Sequence, residues 1–145
     1  MRLRRARSED IDPIAWLFRR SFGTLTFLPS LHTPEEDLAF FAGVLAEQEV
    51  WVAEAEGLIV GFAALGEAML NHLYVEPSER GRGIGTTLLD KAKGRRPNGF
   101  RFWTFQRNHD ACRFYERRGC RAVEYTDGSG NEEREPDVLY EWRPA

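Results

Sequence analysis

Apolar residues recur along this chain with two different periods, and each change of period marks a new element. Leu3 to Ala6 reads as a short first strand. Ser8 offers an N-cap, with Glu9 and Asp10 in a first turn where acidic side chains suit the helix dipole. Ile11, Ile14, Ala15, Phe18 and Phe22 then follow at helical spacing, and residues 23–32 break that pattern. Thr33-Pro34-Glu35-Glu36 starts a second helix, with Thr at N-cap, Pro at N1 and Glu at N3; Leu38, Phe41, Ala42 and Leu45 mark its buried face.

From Glu49 the period shortens. Residues 50–55, a turn at Glu56-Gly57 and residues 58–65 predict a β-hairpin. Met69 to Val75 is the next strand. Ile84, Leu88, Leu89 and Ala92 define a third helix ending near Gly94, and Phe100 to Phe105 is a further strand. Asn108 caps a helix carrying Ala111, Phe114 and Tyr115, with Gly119 as its stop. Arg121 to Tyr125 and Val138 to Trp142 close the chain as two strands around a polar insert. The order β-α-α-β-β-β-α-β-α-β-β predicts an α/β fold with a mixed sheet, in one domain over 1–145.

Composition narrows the classes. Hydrophobic residues at 42% and charged residues at 30% are those of an ordinary soluble globular protein. A formal charge of −3 gives no general attraction to nucleic acid or to an anionic membrane, and no apolar run approaches the ~20 residues needed to span a bilayer. The basic N-terminus lacks the apolar stretch of a secretory signal. Cys112 and Cys120 read as free thiols in a cytoplasmic protein; three scattered histidines without CxxC or HxxxH predict no metal.

The richest segment runs from Leu73 to Leu89. A hydrophobic strand ends in Val75-Glu76-Pro77, then Arg80-Gly81-Arg82-Gly83-Ile84-Gly85 leads into an amphipathic helix. Glycines at alternate positions open φ > 0 to the backbone, so successive N–H groups can point into one concavity. With the positive end of the helix dipole, those amides make a phosphate site. Spacing excludes two common users of such turns. No Lys stands where GxxxxGK[ST] requires it, and in GxGxxG the third glycine would fall at Thr86, one residue beyond Gly85. A tight turn that uses glycine without a ligand is the other reading. What remains, Arg80-x-x-Gly83-x-Gly85 after a strand ending in Val-x-Pro, resembles the coenzyme A-binding loop of the GNAT superfamily of acyl-CoA N-acyltransferases.

Asn108-His109-Asp110-Ala111-Cys112-Arg113-Phe114-Tyr115-Glu116-Arg117-Arg118-Gly119-Cys120 is similar to that family's other hallmark, N-x-x-A-x-x-F-Y-x-x-x-G-[FC]. The two motifs stand in the family's order, and the element order is similar to its whole fold, so the resemblance covers nearly the full chain. It implies an N-acetyltransferase that passes an acetyl group from the co-substrate acetyl-CoA to an amine by direct attack in a ternary complex. It places Arg80, Gly81, Arg82, Gly83, Ile84, Gly85 and Thr86 at the cofactor's phosphates. Leu73, Tyr74 and Val75 would take the pantetheine arm as though it were another strand, and Asn108 would anchor it. Amides of that strand would stabilise the acyl oxygen if the strand splays from its neighbour. Tyr115, expected one turn into its helix, resembles the family's general acid for the departing thiolate. Plainer readings stand beside these: Tyr115 as a helix–sheet aromatic, Asn108 as an N-cap alone, Arg80 and Arg82 as solvated charges.

The base is harder to read. Relatives that acetylate ribosomal protein N-termini carry a Glu five residues before the motif's Asn. Here that residue is Trp103, so neither that base nor that substrate class carries over. His72, Glu67, Glu54 and a water chain remain; His72 is singled out for its ordinary pKa, with a structural hydrogen bond as its alternative. The acceptor, a small-molecule or peptide amine, is expected between the first two helices and the last hairpin. Glu132, Glu133, Glu135 and Asp137 either attract a cationic amine or form a solvated loop. Phe27, Leu28 and Leu31 either line the acceptor pocket or pack in a homodimer. Two further classes are a non-catalytic acyl-CoA sensor, against which the Tyr115 hydroxyl speaks, and a nucleic-acid binder, against which 23 acidic residues and the lack of a recognition motif speak.

Overall fold

The computed structural model describes residues 1–145. Its elements are β1 (Arg2–Arg5), α1 (Ile11–Phe22), α2 (Pro34–Glu47), β2 (Glu49–Ala55), β3 (Leu58–Leu65), β4 (Leu70–Val75), α3 (Ile84–Arg95), β5 (Phe100–Phe105), α4 (His109–Glu116), β6 (Arg121–Tyr125) and β7 (Asp137–Trp142). Short 3-10 turns stand at Ser8–Asp10 and Pro77–Glu79. This is the order the periodicity predicts, and the local chemistry shows why. Thr33 Oγ1 accepts from the Glu36 amide at 3.1 Å while the Thr33 amide donates to Glu36 Oε1 at 2.8 Å, closing the capping box of α2. Glu56 and Gly57 both take positive φ, 52° and 79°, as a tight hairpin turn between right-twisted strands requires.

The start of α1 differs from expectation. Ser8 opens the 3-10 turn rather than capping the helix, and Asp10 is not a solvated first-turn acid. Asp10 is only 4% exposed. It accepts two hydrogen bonds from the Arg4 guanidinium, at 2.7 and 3.0 Å, and one from the Arg7 amide at 2.7 Å. A carboxylate removed from water needs such partners, and β1 delivers the arginine.

Seven strands form two antiparallel sheets, β1-β2-β3-β4 and β5-β7-β6. They meet at one parallel bridge, Met69 to Arg101, where the Arg101 amide donates to Ala68 O at 3.1 Å. Beyond that bridge β4 and β5 do not pair, so the two strands part. A register shift in β3–β4 between Ala64 and Leu65 falls at the same end, where a bulge bends the strand.

Strand alternation sends side chains to two cores. One, including Ile84, Leu88, Leu89, Phe102, Tyr115 and Tyr140, takes Leu73 and Val75 of β4. The other, including Leu17, Phe41, Val52 and Phe62, takes Tyr74. Leu88 and Leu89 are fully buried, each stabilising by about 1.5–3 kcal/mol relative to exposure. Gly61 lets α3 lie directly on β3: a Cβ there would stand 2.9 Å from Ile84 Cγ2 and from Leu88 Cδ1. No helix is long and apolar enough to cross a membrane.

Candidate active site

The parting of β4 from β5 opens a cleft of about 590 Å³. The Glu76 amide donates to Val60 O at 2.8 Å, which fixes the alternation along β4. Tyr74 and His72 therefore turn their main-chain groups toward β3. Leu73 and Val75 turn theirs toward the gap, where no strand answers them. Both residues line the cleft, so an extended ligand there meets a free strand edge.

At one end of the cleft lies the glycine turn. Gly81 and Gly83 take φ of 83° and 82°, as expected. Gly85 does not: it sits inside α3, where its lack of a Cβ serves the Phe114 ring, whose atoms would stand 3.2 and 3.3 Å from such a carbon. The first amide of α3 with a helical partner is that of Thr87, bonded to Gly83 O at 3.0 Å. The N–H groups of Ile84, Gly85 and Thr86 precede it, and Gly83 adds no capping side chain, so these donors face the cleft at the positive end of the helix.

The arginines rearrange the expected roles. Arg82 pairs with Glu79 at 3.2 Å, is 71% exposed on its side chain and does not line the cleft. Arg80 does line it, but donates to Ser21 Oγ at 3.1 Å and Thr24 Oγ1 at 3.5 Å, tying the turn to the end of α1. Arg118, which sequence reasoning did not single out for this site, supplies the cation beside the free amides. It donates to Thr86 Oγ1 and to Phe114 O, both at 2.9 Å, and lies 4.0 Å from the Phe114 ring centroid. Its signal was the spacing Phe114 to Arg118, four residues apart at a helix end, where a guanidinium reaches back over an aromatic face.

Tyr115 stands in the last turn of α4, not one turn from its start. Its ring packs on Phe102 at 4.4 Å, Phe114 at 5.1 Å and Tyr140 at 6.1 Å. Its hydroxyl has no hydrogen-bond partner in the chain and opens on the cleft, and burial raises its pKa above the ordinary phenol value. Asn108 caps α4 as expected, Oδ1 accepting from the Ala111 amide at 3.3 Å, and also lines the cleft, so its two readings coexist.

His72 lines the cleft but packs its ring among aromatic rings, with centroids of Phe41 at 5.4 Å, Phe40 at 5.6 Å and Tyr74 at 6.1 Å. Its Nδ1 is buried without a partner, so the alternative of a structural hydrogen bond at that atom is absent. Desolvation pushes its pKa down to about 4, well below the value that recommended it as a base. Of the other candidate bases, Glu54 is held by Arg4 at 3.0 Å, and neither Glu54 nor Glu67 lines the cleft.

A second cavity of about 610 Å³ adjoins the first through a shared wall, Trp103, Thr104 and Phe105, and extends under the β6–β7 loop. In the 22–31 loop, Phe22 and Leu25 line the first cavity. Phe27 packs edge-on against Phe105 at 6.3 Å, beneath the Arg107 guanidinium, while Leu31 is 46% exposed.

A splayed pair of parallel strands, with helix-end amides at one side of the gap and a buried tyrosine within it, gives this molecule the form of an acetyltransferase. Residues 46–120 match the model of the acetyltransferase (GNAT) domain. An uncharacterized N-acetyltransferase of Archaeoglobus fulgidus is 31% identical over 91% of this chain and 100% of its own length. The peptidyl-lysine N-acetyltransferase YjaB of Salmonella typhimurium is 32% identical, with 81% of each chain covered. Among solved structures, a GCN5-related N-acetyltransferase of Rhodopseudomonas palustris superposes with a TM-score of 0.81 and 30% identity, covering 99% of this chain and 95% of its own. The chain belongs to the GNAT family and is an N-acetyltransferase.

Proposed function

We propose that residues 1–145 act as one domain that moves acetyl from acetyl-CoA to the side-chain amine of a lysine, in a peptide or a small molecule, within a ternary complex. The observation that carries this reading is the free edge of β4: the main-chain groups of Leu73 and Val75 and the Tyr115 hydroxyl share one gap. The lysine acceptor draws support from relatives that are peptidyl-lysine N-acetyltransferases.

The pantetheine arm lies along β4, hydrogen-bonded to Val75, while the phosphates rest on the Ile84, Gly85 and Thr86 amides with Arg118 beside them. The Leu73 amide meets the acyl oxygen, on which negative charge grows as the amine attacks. A preorganised donor of this kind is worth about 2.7–4 kcal/mol of barrier. Tyr115, kept protonated by burial, gives its proton to the sulfur as the C–S bond breaks. Asn108 presents its amide to the arm. Two unpaired cysteines, Cys112 and Cys120, support a reducing cytoplasmic setting, and exposed Leu31 supports a homodimer contact.

Calorimetric titration with acetyl-CoA, and separately with ATP and NAD, tests the cofactor part; a thiol-release assay with lysine peptides tests the transfer. Binding of acetyl-CoA alone and lysine-dependent thiol release are expected. A folded sample that binds no acetyl-CoA would refute the reading.

A further inference from the structure

The reaction needs a group that takes a proton from the amine, and the cleft itself holds no free one. Its carboxylates, Glu79 and Asp110, are paired with Arg82 at 3.2 Å and Arg113 at 2.6 Å. The imidazole of His72 is unpartnered at Nδ1, but burial lowers its pKa to about 4 and makes it a weak base. Four carboxylates of the β6–β7 segment lie nearer the acceptor side, and three are engaged. Glu132 meets His32 Nε2 at 2.9 Å. Glu135 accepts twice from Arg107, both at 2.8 Å. Asp137 accepts from Asn131 Nδ2 at 3.1 Å and from the Thr126 hydroxyl.

Glu133 is the exception. Half-buried, it has no side-chain partner, and it lines the second cavity, which backs onto the cleft at Trp103, Thr104 and Phe105. The Tyr74 phenol, whose pKa is raised first by its own burial, is raised further by the Glu133 charge.

We propose that Glu133 receives the ammonium of the acceptor in the second cavity and takes its proton, making it the general base of the transfer. The proposal rests on the transferase reading above. The ammonium gives one proton to the Glu133 carboxylate, which passes it to solvent. The freed nitrogen pair then forms the C–N bond as the C–S bond breaks. The nitrogen's second surplus proton leaves with bond formation and replaces the one Tyr115 gives to the thiolate, so one proton is released per turnover. Burial and the neighbouring Glu132 raise the Glu133 pKa toward working pH, the direction that strengthens a base. The titratable groups facing it are Glu132 and Asp137 from its own hairpin, His32 from the segment before α2 and Tyr74 from β4, with Glu124 of β6 on the same cavity.

The test is steady-state acetylation of N-α-acetyl-lysine methylamide by wild type, E133Q and E132Q across pH, with acetyl-CoA affinity measured for each. E133Q should lose roughly 10²-fold in kcat/KM for the amine near neutrality, with the loss shrinking as pH rises toward the amine's own pKa. Its acetyl-CoA affinity should match wild type, which also reports an intact fold, and E132Q should keep the acid limb, moved toward lower pH because one charge that raises the Glu133 pKa is gone. An E133Q profile that superposes on wild type, acid limb included, overturns the assignment of Glu133 and leaves the transferase reading standing. A wild type that binds acetyl-CoA but acetylates neither this probe, nor lysine peptides, nor spermidine overturns the transferase reading and the Glu133 proposal with it.

Discussion

Tyr115→Phe removes one oxygen and leaves everything else that the ring does. The contacts to Phe102, Phe114 and Tyr140 are ring contacts, and Phe preserves them. The hydroxyl has no partner in the chain, so its loss strands no donor or acceptor, and folding stability should stay within about 0.5 kcal/mol of wild type. Catalysis should respond differently. A positioned acid contributes ~10²–10⁴ in rate, and at 1.36 kcal/mol per decade the barrier should rise by about 3–5.5 kcal/mol. Because the proton is needed only as the C–S bond breaks, kcat should fall while acetyl-CoA binding is unchanged. Thiol release at saturating acetyl-CoA and lysine peptide measures the first quantity, calorimetry the second, and a thermal melt checks the fold. A folded Tyr115→Phe protein with wild-type kcat would refute Tyr115 as the acid, and would return it to being a helix–sheet aromatic. Weakened binding at constant kcat would instead mean a ground-state contact.

Arg118→Ala should weaken acetyl-CoA binding by roughly 10–100-fold, the loss of one charge-assisted contact, and flatten the salt dependence of that binding in calorimetry. Asp10→Asn should destabilise the protein by about 2 kcal/mol in urea unfolding at neutral pH, since it removes the charged partner of two Arg4 hydrogen bonds and leaves the buried guanidinium with Glu54 alone. The Asp10 pKa is depressed by Arg4, so its contribution is present above the unfolded value of about 3.9 and fades as pH falls through the folded one. The gap between variant and wild type should therefore close in strong acid. His72→Gln should leave the acid limb of kcat/KM above about pH 5 in place, because the imidazole titrates near 4; disappearance of that limb would restore His72 as the base.

The element order was legible because each element carries its own period and its own punctuation. The Thr33–Glu36 box, the Glu56-Gly57 turn, the Asn108 cap and Gly119, with φ of 86°, are all decided within a few residues. The positive φ of Gly81 and Gly83 was legible for the same reason, whereas the place of Tyr115 on the cleft was legible only as what the family resemblance implied. What was not legible depends on partners far along the chain. Asp10 reads as a dipole acid until β1 brings Arg4 to it. Arg80 reads as a free cation at the turn, and only the fold shows that its guanidinium also reaches Ser21 of α1 and Thr24 just beyond it while lining the cleft. His72 has an ordinary pKa in any sequence, and loses it only because α2 lays Phe40 and Phe41 over it. Glu133 is one of four similar acids in the sequence; the positions of His32, Arg107 and Asn131 in space are what single it out.

Amide-resolved NMR titration of the labelled protein with acetyl-CoA tests the central claim most directly. The account predicts saturable shifts of the Leu73 and Val75 amides together with those of Ile84, Gly85 and Thr86, with the amides on the β1 edge of the sheet unmoved. Shifts confined to another surface, or none in a folded sample, would contradict the placement of the cofactor between β4 and β5.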